Sequence, residues 1–315
     1  MPVWRFDFIG RIVSPTRLGF CIVKLSPLEI VMAATIPLVW GMGFVFAKGA
    51  INHFPPILLM AFRFSLTAIV LVWFAKIPRG SLKQIFKIAI VAAAIQYSLT
   101  FTGLKGLEAG LASLIVQLEV PFLVILGALF LHEKPGWRKW IGIAISFGGV
   151  ALMTQQQELS GSALSMILVI TGCFSWAVGQ VMVRKLENIA GMQVTAWVAV
   201  FAAPQLFIMS AIFEHGQLDA IKTAEPLVWW AVLYLGLIMT CFGYFLWNTL
   251  IRRHDVSLIA PFLLLLPVFS VIGGVIFLGE DLTFQKFYGG SVILVGVAVI
   301  TFQPSLFFRV KSKTG

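Results

Sequence analysis

A chain of 315 residues that is 59% hydrophobic and only 11% charged, with a mean hydropathy of +0.97, falls outside the composition of soluble domains and belongs in a bilayer. Its net charge of +10 invites a nucleic-acid reading. The placement of Lys and Arg at the ends of apolar runs gives the more economical account, and no nucleic-acid partner is expected.

In chain order, residues 1–27 carry Pro2, Pro15 and scattered Arg, with no short apolar core and small-residue cleavage site, so they read as a basic cytoplasmic arm or an upstream extension and not as a signal peptide. Then come about ten apolar runs, centred near residues 41, 66, 95, 120, 147, 173, 203, 238, 267 and 296. They approach the ~20 residues that a helix needs to cross a bilayer. Lacking the alternation of barrel strands, they are expected to be spanning helices. The expected fold class is an all-α integral membrane protein of ten transmembrane helices. Residues 305–315 form a basic tail.

The word FLHE closes the fourth run at 130–133, and FLGE closes the ninth at 277–280. A displacement of 147 positions carries Tyr97 onto Tyr244, Phe122 onto Phe269, Gly127 onto Gly274, Glu133 onto Glu280, Lys139 onto Lys286 and Gly149-Val150-Ala151 onto Gly296-Val297-Ala298. An earlier block repeats at 136, with Trp40, Gly43 and Lys48 falling on Trp176, Gly179 and Arg184. Trp, Tyr, Glu and several Gly in constant register indicate a duplicated unit of about five helices, 28–155 and 163–304. Five is odd, so the second copy starts on the opposite side of the membrane and the repeats are inverted. That arrangement is the signature of secondary transporters, whose halves exchange conformations about a midplane site. With the N-terminus inside, eighteen Lys and Arg, Lys24, Arg79, Lys134, Arg184 and Arg252 among them, fall on the cytoplasmic side, and only Lys105, Lys222 and Lys286 fall outside. Both termini are therefore expected in the cytoplasm.

Trp40, Gly43, Phe44 and Ala47 share a helical face, as do Trp176, Gly179, Gln180 and Val183; each reads either as close packing or as an aromatic cavity wall. Tyr97 and Phe101 lie at i and i+4, and Tyr244, Trp247 and Asn248 occupy the equivalent patch. Gln96, Gln117, Gln180 and Asn248 are intramembrane amides that need a partner on another helix or a solute. Glu119 lies near a midplane, where an ionised group is a functional hypothesis by default. It could bind an ammonium group, relay a proton, or pair with Arg63. For Gln117 and Glu119 to line one cavity their helix must deform, and Pro121 permits that. Glu133 and Glu280 read as hydrated caps or ion-pair members, and Cys21, Cys173 and Cys241 as small apolar residues. No HExxH, P-loop or dinucleotide fingerprint occurs, so no metal or cofactor is expected and any energy must come from gradients.

The stretches AGLASLIVQ (109–117), CFSWAVGQVMVRK (173–185), GYFLWNTLIRRH (243–254) and IAPFLLLLP (259–267) resemble the EamA branch of the drug/metabolite transporter superfamily over residues 28–303. The resemblance implies two EamA repeats in a bacterial inner membrane and a central cavity whose wall includes the faces of Trp40, Gln96, Gln117, Trp176, Gln180 and Trp247. It also implies a non-enzymatic exporter of small amino-acid-like solutes, O-acetylserine and cysteine first, with another amino acid, a drug or a nucleobase as alternative cargo. An integral-membrane lipid-modifying enzyme and a non-transporting scaffold are the rivals from other classes. The expected partners are a small solute and membrane lipid.

Overall fold

The structure is a computed structural model that describes residues 25–154, 162–186, 189–254 and 256–301. Most of the expected N-terminal arm, the tail and Cys21 lie outside the described residues. Within them every regular element is helical. We label the long helices α1 (Pro27–Ile51), α2 (Pro56–Phe74), α3 (Leu82–Lys105), α4 (Ala109–Phe130), α5 (Trp137–Thr154), α6 (Ser162–Arg184), α7 (Gly191–Phe213), α8 (Pro226–Ile251), α9 (Ala260–Leu278) and α10 (Phe284–Thr301). Eight of these, all but α5 and α10, are long and apolar enough to cross a membrane by length and composition. A short helix, Gln217–Lys222, precedes α8, and Val256–Ile259 leads into α9.

Sequence punctuation sets the helix starts. Ser26 and Glu29 form a capping box at α1, with Ser26 N donating to Glu29 Oε2 at 2.9 Å and Glu29 N donating to Ser26 Oγ at 3.3 Å. Proline occupies the first turn of α1, α2 and α8, where its missing N–H has no intrahelical partner to lose. Several helices are irregular mid-span, and the irregularities recur at the 147-residue displacement. A π-helical stretch at Ile90–Ile95 of α3 falls within the π-helical stretch Tyr234–Phe242 of α8. The break of α4 at Gln117 and Leu118 falls within the 3₁₀ stretch Ala260–Leu265 of α9. Duplication of sequence is thus duplication of backbone shape, and both irregularities sit where a solute site is expected.

The helices pack as two central groups and two flanking pairs. One group is α1 with α8 and α9; the other is α6 with α3 and α4. The 136-residue displacement carries α1 onto α6 and the 147-residue one carries α3 onto α8 and α4 onto α9, so the repeat exchanges the groups. The flanking pairs are α2 with α7 and α5 with α10. Close approach rests on glycine: a Cβ on Gly43 would meet the Met239 side chain, and one on Gly179 would meet Cβ of Ala92 and lie 3.0 Å from its Cα. Ala92 and Met239 are themselves 147 apart, so these are equivalent contacts. Met239 can swing aside and the Ala92 backbone cannot. We therefore expect Gly179→Ala to cost about 2 kcal/mol and Gly43→Ala less than half of that, compared by thermal melting in detergent.

The groups are joined at one end. There Lys48 Nζ donates to the carbonyls of Leu104 and Lys105 at 3.1 and 2.8 Å, closing the end of α3 with a cation from α1. Glu280, just beyond α9, accepts from the backbone N–H groups of Ala109 and Gly110 at 2.5 and 3.1 Å, capping α4. Ser270 Oγ donates to the Ala109 carbonyl at 3.1 Å, and Lys286 Nζ lies 2.5 Å from Glu108 Oε2. At the other end Arg184 and Glu133, the repeat equivalents of Lys48 and Glu280, stay within one group, as does a separate pair, His254 and Glu29. Arg184 pairs with Glu133 at 2.6 Å, both about half exposed, and His254 Nε2 lies 2.8 Å from Glu29 Oε1. The half of α4 before its break packs on α9, and no comparable packing joins its second half to the 3₁₀ stretch of α9 among the described residues.

Candidate functional site

Aromatic side chains from two helices, α1 and α8, meet near mid-span. Trp40 sits 5.3 Å from Tyr244 and 6.1 Å from Trp247, ring centroid to centroid, and its Nε1–H donates to the Met239 carbonyl at 3.1 Å. That carbonyl lies in the π-helical stretch of α8, whose widened turn frees carbonyls for partners outside the helix. Gly243 makes room, since a Cβ there would strike the Trp40 ring. Towards the Lys48 end, Phe44 stacks on Phe101 at 6.0 Å, Phe101 on Tyr97 at 5.7 Å, and Phe64 meets Tyr97 edge-on at 4.9 Å. Phe44 and Phe101 are buried, and this second cluster fills the core between α1, α2 and α3. Trp40, Tyr97, Glu119, Trp176, Gln180, Tyr244 and Trp247 are only partly buried.

Arg63 is 1% exposed. Its Nε donates to Thr240 Oγ1 at 3.0 Å, Nη2 to Tyr97 OH at 3.5 Å, and its guanidinium carbon stands 4.7 Å from the Tyr97 ring centroid. Such a cation–π contact contributes about 1–2 kcal/mol when desolvated. Thr240, which the sequence reading missed, is itself held by its Oγ1–H donating to the Leu235 carbonyl at 2.8 Å, an i to i−5 contact that the π-helical turn creates. Glu119 opens the second half of α4 directly after the break at Gln117 and Leu118. The N–H groups around it are taken, since Leu118, Val120 and Phe122 donate to the carbonyls of Ile115, Gln117 and Leu118 and Pro121 has none. The expected alternative of an ion pair with Arg63 is not found: the three ion pairs among the described residues are Arg184–Glu133, His254–Glu29 and Lys286–Glu108. Arg63 is drawn instead to α8 and α3.

The amides divide. Gln117 is buried and its Nε2 donates to the Leu263 carbonyl at 3.3 Å, so the breaks of α4 and α9 are bonded to one another. Asn248 Nδ2 donates to the Tyr244 carbonyl at 2.7 Å, and its Oδ1 lies where a Cβ on Gly191 would go, which turns it towards the start of α7 and away from Trp40. Gln96 is 4% exposed, bonds Thr100 Oγ1 at 3.3 Å through Nε2, and has no partner for Oε1. Gln180 stands with Trp176 on α6, where Trp176 packs beside Leu126 and Val181. Gln205, which the sequence reading passed over, has neither amide atom bonded. The rule already applied to the other intramembrane amides would have found it. A cleft of about 290 Å³ between α4, α9 and α10 is lined by Leu111, Val271, Ile272 and Phe287 and contains none of these residues. Among the described residues no group of three His, Cys, Asp or Glu side chains is placed to hold a metal ion.

Residues 27–155 and 163–302 each match the EamA-like transporter family. The chain belongs to that family. Its EamA repeats fall on α1–α5 and α6–α10, so the family is one of transporters and the chain is not an enzyme. Among its relatives, a protein of Escherichia coli described as a probable amino-acid metabolite efflux pump is 28% identical over 88% of this chain and 96% of that protein. A Salmonella typhimurium protein with the same description is 29% identical over 89% and 95%. An Escherichia coli protein described as an uncharacterized inner membrane transporter is 24% identical over 86% and 89%. A crystal structure superposes with a TM-score of 0.63 at 19% identity, covering 87% of this chain and 97% of that one, which supports the fold.

Proposed function

We propose that this EamA transporter exports small amino-acid-like solutes from the bacterial cytoplasm across the inner membrane by alternating access, with O-acetylserine and cysteine as the leading cargoes. In this reading α1–α10 are ten spans arranged as two inverted five-helix units, both termini are cytoplasmic, and the solute sits between the two central groups. Trp40, Trp176, Tyr244 and Trp247 line the midplane walls, while Phe44, Tyr97 and Phe101 close the external path. Gln96 and Gln180 offer amide contacts, and Glu119 takes the solute ammonium.

The observation that carries this reading is one-ended closure. Lys48 and Glu280 reach across to the other group's helix ends, whereas their repeat equivalents Arg184 and Glu133 hold each other within one group. The charge argument makes the joined end external, and on that reading the closure is that of a cytoplasm-facing state. An inverted repeat reaches the opposite state by exchanging these contacts. The relatives described as amino-acid metabolite efflux pumps, aligned over nearly their whole length, support the cargo class.

The test is efflux of O-acetylserine and cysteine from cells overproducing the chain, with unrelated amino acids as controls. Selective accumulation outside is expected, and Glu119→Gln at equal membrane abundance should lower it tenfold or more, because an amide keeps the size of the side chain and removes the charge. No enhanced efflux of either solute from wild-type cells removes this cargo assignment.

A further inference from the structure

The cleft of about 290 Å³ between α4, α9 and α10 is charged at one end only. Its mouth lies at the joined end, ringed by Glu108, Glu280, Asp281 and Lys286. Beyond them the walls are apolar. The buried Leu111 and Leu114 form the floor, and the exposed Val268, Ile272, Val275 and Phe287 leave the cleft open towards the bilayer. The one hydroxyl in its lining, Ser291 Oγ, donates to the Phe287 carbonyl at 2.7 Å and is spent there. Along α9 the apolar stretch from Val275 to Val268 rises about 10 Å at ~1.5 Å per residue. That is most of the ~15 Å of hydrocarbon in one leaflet, a depth that suits an acyl chain and offers a polar solute no partner. The mouth sets three carboxylates against one ammonium. Lys286 Nζ is bonded to Glu108 Oε2 and, at 2.7 Å, to the main-chain carbonyl of Asp281, which leaves one of its N–H groups. Glu280 is spent on the start of α4. Asp281 is exposed and joins no ion pair among the described residues. The 147-residue displacement carries Lys134 onto Asp281, so this negative charge belongs to one end of the protein and not to the repeat.

We propose that this cleft binds a phospholipid whose headgroup carries an ammonium beside its phosphate, with one acyl chain between α4, α9 and α10, the ammonium at Asp281 and the phosphate on Lys286. The site goes beyond the cargo reading and does not depend on it. In a bilayer an acyl chain gains little by leaving its neighbours for an apolar groove, since lipid tails are as apolar as leucine, so selection falls on the headgroup. Asp281 and Lys286 stand side by side, joined through the Asp281 carbonyl, and meet both headgroup charges with charge-assisted hydrogen bonds. A headgroup that is only negative brings no ammonium to the three carboxylates, and like charges set together cost affinity. The bound lipid touches α4 of one central group and α9 of the other where the two are joined.

The experiment titrates the full chain in detergent with phosphatidylethanolamine or phosphatidylglycerol of the same acyl chains and follows the first lipid retained by native mass spectrometry. Wild type should hold the ethanolamine lipid about tenfold more tightly than the glycerol lipid. Asp281→Asn, an exposed change, should bring that ratio to about one. Ile272→Trp fills the cleft from its open side at a residue 49% exposed, and it should weaken both lipids about tenfold with the melting temperature unchanged. Equal binding of the two lipids by wild type, or a preference that survives Asp281→Asn, removes the headgroup assignment and overturns the proposal. Undiminished binding by Ile272→Trp places the lipid elsewhere and overturns it as well. So does a wild-type dimer that Ile272→Trp dissociates, because a second copy of the chain then covers the cleft.

Discussion

Gly296→Leu is expected to abolish the α5–α10 pair and, with it, most folded protein in the membrane. A Cβ at Gly296 would strike Ser146 Oγ and lie 2.6 Å from Ser146 N and 2.7 Å from the Gly142 carbonyl, so the obstacle is backbone, which cannot step aside. Gly142 faces the same constraint, its Cβ falling 2.7 Å from the Gly296 carbonyl. Gly149 would meet Ile293 N at 2.8 Å and the Gly289 carbonyl at 3.0 Å. The displacement carries Gly142 onto Gly289 and Gly149 onto Gly296, so the two contacts are one contact used twice. In lipid no hydrophobic drive brings helices together, and small residues that let backbones approach supply the association. Overpacking of such a seam costs about 3 kcal/mol or more when backbone must move, a large fraction of the roughly 5–15 kcal/mol that holds a fold together. Gly148 is the control, because a Cβ there meets nothing within 4 Å. Gly148→Ala should melt at or slightly above the wild-type temperature, and Gly296→Leu should give little monodisperse protein by size-exclusion in detergent. Equal behaviour of the two variants would show that α5 and α10 do not need their close seam.

Much of the fold was legible because membrane constraints act on single residues. Hydropathy marks helices directly, and Trp, Tyr, Glu and Gly held at fixed displacement expose duplication without an alignment. The residues quoted for the EamA resemblance led to the family that the chain proves to match. Less of the site was legible, for a geometric reason. Sequence places a residue along a helix but not in azimuth once the helix is irregular. The π-helical stretches of α3 and α8 and the break in α4 rotate every residue beyond them. Asn248 shares a patch with Tyr244 on an ideal helix, yet it turns to Gly191. Gln117, left open between a partner on another helix and a solute, bonds Leu263. Pairing with Arg63 was one of three roles left open for Glu119, and Thr240, brought into reach by a π-helical turn, draws Arg63 to α8. FLHE and FLGE were read as hydrated caps or ion-pair ends. Glu133 is in an exposed ion pair, and Glu280 caps another helix, a role that depends on which end of the bundle is closed.

That difference yields the second large effect: Glu280→Gln should move the equilibrium towards the outward-facing state by roughly thirty-fold. The carboxylate accepts two N–H groups at the start of α4, and a charge-assisted cap of this kind contributes about 2 kcal/mol, which is that factor in a two-state ratio. A glutamine can present one oxygen, but its NH₂ then opposes the second N–H and the charge that strengthens the first bond is gone, so nearly the whole contribution is lost. Glu133→Gln should act with the opposite sign. In the state facing outwards the exchange of contacts takes the Glu133 carboxylate to the helix start at Val256–Ile259, while in the present state it makes an exposed ion pair that contributes at most about 1 kcal/mol. Its removal therefore costs the outward-facing state more. Ser270 reports the change, because it is fully buried between α9 and α4 with its hydroxyl on the Ala109 carbonyl, and it is freed when they part. A thiol placed there by Ser270→Cys, in a chain whose Cys21, Cys173 and Cys241 are replaced, should react with an impermeant maleimide added outside right-side-out vesicles. Labelling should rise in the Glu280→Gln background and fall in the Glu133→Gln background. Movement of both in one direction would mean that the two carboxylates are ordinary helix ends, and that closure of the bundle is set by the apolar contacts between α4 and α9.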